Sequence, residues 1–227
     1  MGFISRTEWL KQQQERQERA AAAQNAGPRV SYFGLRDDGD EAIVRFAYTD
    51  PDQFDILTTH QTTVDGKFRR VNCLRDFRDP VDNCPMCKAG IPVQQRFYIK
   101  LVEYTRDEEG KIVVTPKVWE RPTSYVTILN NLFEEYGDIS DMVFKVKRSG
   151  KKGDLQTTYS IMLANPTIYN ATTYAKDFSG FDKYNVVGSA LLDWSAEQMN
   201  ESLGVEKEEE AKPEPVYQQA QPRKVTY

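Results

Sequence analysis

The chain has 227 residues, 30 Lys and Arg against 34 Asp and Glu, and a formal net charge of −4. That length holds one domain with a sizeable core plus tails. The slightly acidic balance excludes a protein drawn to nucleic acid by global charge, so any such function has to rest on local patches. No secretory leader or membrane-length apolar run is visible, which points to a reducing compartment.

In chain order, the first expected element is a helix over 6–25. Ser5-Arg6-Thr7-Glu8 fits a capping box, and Ile4 and Trp9 are placed as a hydrophobic staple. The Gln, Glu, Arg and Ala that follow favour a helix but offer little apolar face, so residues 1–29 read as an arm that docks on something else or projects into solvent. Gly27-Pro28 ends it. Short strands follow: Ala42 to Tyr48, then Phe54 to His60, then Lys67 to Cys73 returning from a turn at Asp65-Gly66. Phe97 to Tyr104 and Lys111 to Trp119 flank the acidic connection Arg106-Asp107-Glu108-Glu109-Gly110. Pro122 opens a helix on which Tyr125, Ile128, Leu129, Leu132, Phe133 and Tyr136 share one face, with Gly137 as its end. Met142 to Lys147 and Thr157 to Leu163 form a last hairpin. Residues 165–195 read as irregular and aromatic. From 205 to 227 the Glu, Pro and Gln content predicts a disordered charged tail, densest in acid from Glu206 to Glu210.

This order predicts a mainly β fold with accessory helices: a five-stranded OB-type barrel over 30–204 with one helix between its third and fourth strands. Composition alone does not separate it from another small β barrel.

Inserted near the early strands, at about 56–95, is the most specific signal. His60, Cys73, Cys84 and Cys87 are every cysteine and the only histidine, spaced His-x12-Cys-x10-Cys-x2-Cys. Three thiolates and one imidazole make the donor set of a closed tetrahedral zinc site, with Cys84-Pro85-Met86-Cys87 as its tight knuckle. Three cysteines cannot all pair, so a disulfide framework leaves an odd thiol. A zinc deaminase needs His-x-Glu, and Gln61-Thr62 follows His60 here. Four protein ligands leave no open position for an activated water, so the expected zinc is structural and the protein no enzyme.

Two basic runs stand out. Lys67, Arg69, Arg70, Arg75 and Arg78 face one acid, Asp76, and Lys145, Lys147, Arg148, Lys151 and Lys152 face none. Taken singly, each run is more simply a solvated face. Binders of single strands combine such cations with aromatic faces on which bases stack. Phe68 adjoins Arg69 and Arg70, and Arg96-Phe97-Tyr98-Ile99-Lys100 repeats the combination on a strand. Neighbours on a strand face opposite sides, so Tyr98 with Lys100 is assigned to the groove and Phe97 to the core. Tyr104 and Trp119 are further stacking candidates, and Arg69, Arg70, Lys145, Lys147 and Arg148 are candidate phosphate ligands.

These residues resemble the single-stranded DNA-binding (helix-destabilising) protein family of T-even bacteriophages. The resemblance spans about 40–163. It lies in the His-x12-Cys opening and Cys-Pro-x-Cys closing, in Glu41-Ala42-Ile43-Val44-Arg45-Phe46 and in Asp65-Gly66-Lys67-Phe68. The Phe97-Tyr98 strand and Phe144-Lys145-Val146-Lys147 extend it. It implies an OB fold with a zinc subdomain and sequence-tolerant coating of single strands in phage replication, recombination and repair, within the cytoplasm of the infected host and without catalysis. It implies a DNA contact at Arg45, less firmly at Arg96 or Lys100. It also implies self-association through the amino-terminal arm and recruitment of replication proteins through an acidic tail. The sequence departs from the family where Ser5-Arg6-Thr7 stands for a longer basic arm motif. It departs again where Lys151-Lys152 replace hairpin aromatics, leaving Tyr159 as the nearest substitute, and where the tail is shorter and carries Arg223-Lys224. Two other functions remain open: a zinc-ribbon interaction protein such as a phage transcription adaptor, and an RNA-binding OB protein.

Overall fold

The computed structural model describes Arg6 and residues 30–204, apart from Asp65, Phe77, Leu155 and Ala171. The helix expected over 6–25, Arg6 excepted, and the tail expected from 205 lie outside the described residues. The fold is mainly β, with eight strands among the described residues: β1 (Ser31–Tyr32), β2 (Glu41–Phe46), β3 (Ile56–Val64), β4 (Lys67–Asn72), β5 (Val93–Arg106), β6 (Ile112–Pro122), β7 (Phe144–Ser149) and β8 (Thr158–Leu163). Three helices matter for the site: α1 (Pro85–Lys88), α2 (Ser124–Tyr136) and α3 (Ala196–Ser202).

The strands form one open mixed sheet in the order β1-β6-β5-β2-β7-β8, with the β3–β4 hairpin attached to β5. A closed five-stranded barrel, expected from the sequence, is not shown by this sheet, which is open. Strand β5 runs for 14 residues. Its first part, Val93 to Phe97, pairs with β3, and its later part, Leu101 to Tyr104, pairs with β2. One long strand thus carries both the hairpin and the rest of the sheet. Among the described residues no ladder joins β6 to β8. Side chains meet there instead, with the Trp119 and Tyr159 rings edge-on, 5.2 Å from one another.

Alternation along β5 sorts its two faces. Phe97, Ile99 and Leu101 enter the main core with Val44, Phe46, Phe144, Val146 and Leu129 of α2. Helix α2 begins at Ser124, after Pro122 has closed β6, and Gly137 ends it at φ +71°, donating its N–H to Phe133 O at 2.8 Å. Tyr98, Val102 and Tyr104 point the other way, and that face is not open. The irregular stretch 164–192 covers it, burying Tyr174, Tyr184, Val186 and Leu191 against these strands.

Gly180 marks how closely this cover sits. A Cβ there would lie 2.6 Å from Pro116 Cγ and 3.0 Å from Pro116 Cβ on β6. Gly180→Ala is expected to destabilise the fold by about 1–3 kcal/mol through overpacking, read as a shift in the denaturant midpoint. An unchanged midpoint would mean that the cover is not held against β6.

Candidate metal centre and nucleic-acid groove

The β3–β4 hairpin brings the four predicted ligands together. His60 comes from β3 and Cys73 follows β4. Cys84 is the N-cap of α1, Pro85 its first residue, and Cys87 its third, so the short helix turns both sulfurs toward one point. All four donor atoms lie within 4.8 Å of one another. Cys73 Sγ is 3.7 Å from Cys87 Sγ, and His60 Nε2 is 3.4 Å from Cys84 Sγ and 3.5 Å from Cys87 Sγ. Metal–sulfur and metal–nitrogen bonds of about 2.3 and about 2.0 Å at tetrahedral angles would set sulfurs about 3.8 Å apart and sulfur and nitrogen about 3.5 Å apart. These three separations fit a shared ion, and the group could hold one.

The surroundings suit that use. Burial pushes the His60 imidazole down, toward the neutral form a ligand needs. Burial pushes the Cys73 thiol up to about 12, so without an ion it stays protonated. Burial also acts to raise Cys84, but hydrogen bonds from the backbone of Leu74, Cys87 and Met86 outweigh it and bring this thiol down. Sequence reasoning missed the roof of the site. Met199 of α3 is fully buried with its Sδ 3.8 Å from Cys84 Sγ, and Leu192, Trp194 and Leu203 pack on the same cluster. Ser195 caps α3 through a capping box with Gln198, a pattern visible in the sequence once a helix is sought there.

The same hairpin lines a groove of about 380 Å³. Phe68 is 77% exposed and Tyr32 is 52% exposed, and both line it with Gln61, Arg69, Arg70 and Glu120. The far wall is residues 188–192. That wall is bound to β4: Leu192 N donates to Arg70 O at 2.9 Å, and Asn72 N donates to Leu192 O at 3.0 Å. The Asn72 side chain accepts from Trp194 N at 2.7 Å. Arg70 and Arg96 both direct Nε to Glu120 Oε1, Arg96 at 2.9 Å.

Of the predicted binding residues, Phe68, Arg69 and Arg70 reach this groove. The others are placed differently. Tyr98 is fully buried, because the stretch 184–191 covers its face of β5. Its hydroxyl has no hydrogen-bond partner among the described residues, and burial raises its pKa. Arg45 is 2% exposed and spends its guanidinium inside, donating to Tyr104 Oη at 2.9 Å, Ser140 O at 3.0 Å and Tyr174 O at 2.8 Å. Tyr104 is buried in the same network and donates to Ala175 O at 2.9 Å. Trp119 is a core ring against Phe33, Tyr125 and Tyr159, and Tyr159 is half-buried there with the Arg121 guanidinium 4.6 Å above it. Arg148 is buried, pinning the turn after β7 through Gly150 O, Lys151 O and Thr157 Oγ1. A phosphate cannot reach Arg45 or Arg148, and a base cannot stack on Tyr98, Tyr104 or Trp119, without opening the core. Lys100 pairs with Asp55 at 2.9 Å, and Lys145 and Lys147 share Glu41 at 3.0 and 3.2 Å. Lys151 and Lys152 are exposed in the turn before β8. None of these five lysines, nor Arg96, lines the groove.

Tyr32, Gln61, Glu120 and the 188–192 wall are what the sequence did not disclose. Tyr32 sits in a two-residue strand, too short for any periodicity to register, and the wall is only the end of a kinked one-turn helix, Val186–Ser189, and isolated bridges at Leu191 and Leu192. No helix among the described residues is long and apolar enough to cross a membrane. No known protein-family model matches this chain, and no curated protein sequence matches it.

Proposed function

We propose that the chain binds single-stranded DNA in the groove beside the β3–β4 hairpin and serves a bacteriophage in replication, recombination and repair, in the cytoplasm of the infected host. One observation carries this reading: two exposed aromatic rings, Phe68 and Tyr32, share a groove with Arg69 and Arg70. Stacking on such rings needs bases free of a duplex, and the exposed Arg69 is the cation placed to hold the backbone. The ligand geometry supports zinc as the resident ion, since three thiolates and an imidazole suit it. Its role is structural, fixing the strand that carries the groove arginines. The order β2, β5, β6, then α2, then β7 and β8 supports an OB-type arrangement, a fold that is itself a partly open barrel. Self-association through 1–29 and recruitment of replication proteins through 205–227 belong to the same proposal, as does the absence of catalysis.

Phe68→Ala tests the groove directly, because an exposed ring is removed without touching the core. Single-strand affinity is expected to fall by about 1–3 kcal/mol, measured by fluorescence anisotropy, with the melting temperature unchanged. Tyr32→Ala should weaken binding in the same direction. Full affinity in both variants would overturn the groove as the binding site.

A further inference from the structure

Glu120 is an unexpected residue on the floor of a groove meant for phosphates. It lies on β6, while the arginines it holds come from β4 and β5. Both direct Nε to the same oxygen, Oε1. Arg70 is held further by Gln94, which accepts from Nη1 at 3.0 Å. Among the described residues Oε2 makes no bond to the protein, and Glu120 keeps about a fifth of its side chain exposed, 21%, on the groove.

That arrangement makes the floor a poor phosphate site. A phosphate moving onto Arg70 would stand beside a carboxylate, and like charges at such distances repel. Arg69, exposed on the hairpin and without a carboxylate partner among the described residues, is the cation left for the backbone. The floor instead offers a negatively charged acceptor to the edge of a base whose face rests on Phe68 or Tyr32. Carboxylates read the exocyclic amino group of cytosine by accepting from it. Thymine carries a carbonyl oxygen at the same position, which a carboxylate repels.

We infer that Glu120 is a specificity residue giving the groove a moderate preference for amino-bearing bases, cytosine over thymine. The preference rests on the single-strand reading above and is superposed on sequence-tolerant stacking. The test is anisotropy competition among homopolymer single strands of one length, at neutral to mildly basic pH. The strands are oligo-dC, oligo-dT and a strand of the pyrimidin-2-one deoxynucleoside, which has hydrogen in place of the cytosine amino group. The full chain is expected to bind oligo-dC about five- to tenfold more tightly than oligo-dT, and to treat the pyrimidinone strand like oligo-dT. Glu120→Gln, whose amide both donates and accepts, should bring the two natural strands together while still binding each. Equal affinity of the unaltered protein for all three strands would overturn the inference and leave the single-strand reading standing. So would a cytosine preference that survives in Glu120→Gln, or a pyrimidinone strand that binds like oligo-dC. Failure to bind any strand would overturn the single-strand reading itself.

Discussion

If the His60, Cys73, Cys84 and Cys87 cluster holds the proposed zinc, removing it, by chelation or by Cys84→Ala, is expected to cost the fold more than any other single change. Structural zinc contributes about 10–16 kcal/mol of apparent binding energy in zinc-finger peptides at neutral pH, and binding energy of this kind is folding energy. Here the ion would tie together β3, the end of β4 and α1. Its loss leaves a cluster whose Cys73 thiol is protonated and whose apolar roof is Met199 with Leu192, Trp194 and Leu203. The damage should therefore spread beyond the hairpin. Hydrogen exchange is expected to rise in residues 56–95 and also in 188–203, while β2 and β7 stay protected. Elemental analysis should find one zinc per chain before treatment and none in Cys84→Ala. Unaltered metal content and melting temperature in that variant would remove the four-ligand site.

The second large effect belongs to Arg45, and it is an effect on stability rather than on binding. The side chain is buried, and all three of its bonds run to groups inside the protein. Arg45→Ala leaves the carbonyls of Ser140 and Tyr174 and the Tyr104 hydroxyl short of a partner and opens a cavity beside them. Orphaned buried polar groups cost about 1–3 kcal/mol each, partly relieved by relaxation. A total loss of about 3–5 kcal/mol is expected, against 2–4 °C of melting temperature for roughly each 1 kcal/mol in a domain of this size. Denaturant unfolding measures it. Binding of single strands, assayed well below the melting temperature, should be nearly unchanged. Intact stability with lost affinity would return Arg45 to the DNA surface, where its resemblance to a family position puts it.

What the sequence disclosed, and what it hid, follow from how each signal is encoded. The ligand set was legible because four rare residues at fixed spacing have few other uses, and the structure brings all four together. Strands β2 to β8 and helix α2 were legible through periodicity, with ends shifted by a few residues, as at Pro122. The faces of β5 were half legible. Alternation sent Phe97 to the core and Tyr98 to the opposite side, as expected, but it carries no information about what covers that side. A stretch without periodicity, 164–192, does so, turning Tyr98 and Tyr104 from candidate platforms into core. Arg45 and Arg148 failed for a related reason. Arg148 stands in a basic run and Arg45 at a position singled out by the resemblance, and only the fold reveals the backbone carbonyls that converge on each. Tyr98→Ala is consequently a poor probe of binding, since it would empty a buried site. Phe68, expected on the groove and found 77% exposed there, is the informative position.

The hairpin groove is proposed to take single strands and not duplex. The most direct test is a fluorescence-anisotropy titration of a labelled mixed-sequence single strand with the full chain, challenged by unlabelled single-stranded DNA, duplex and RNA. Tight binding that single-stranded DNA reverses and duplex does not is the expected result. No binding, or equal competition by duplex, would contradict it and favour a zinc-ribbon adaptor that works through a protein partner.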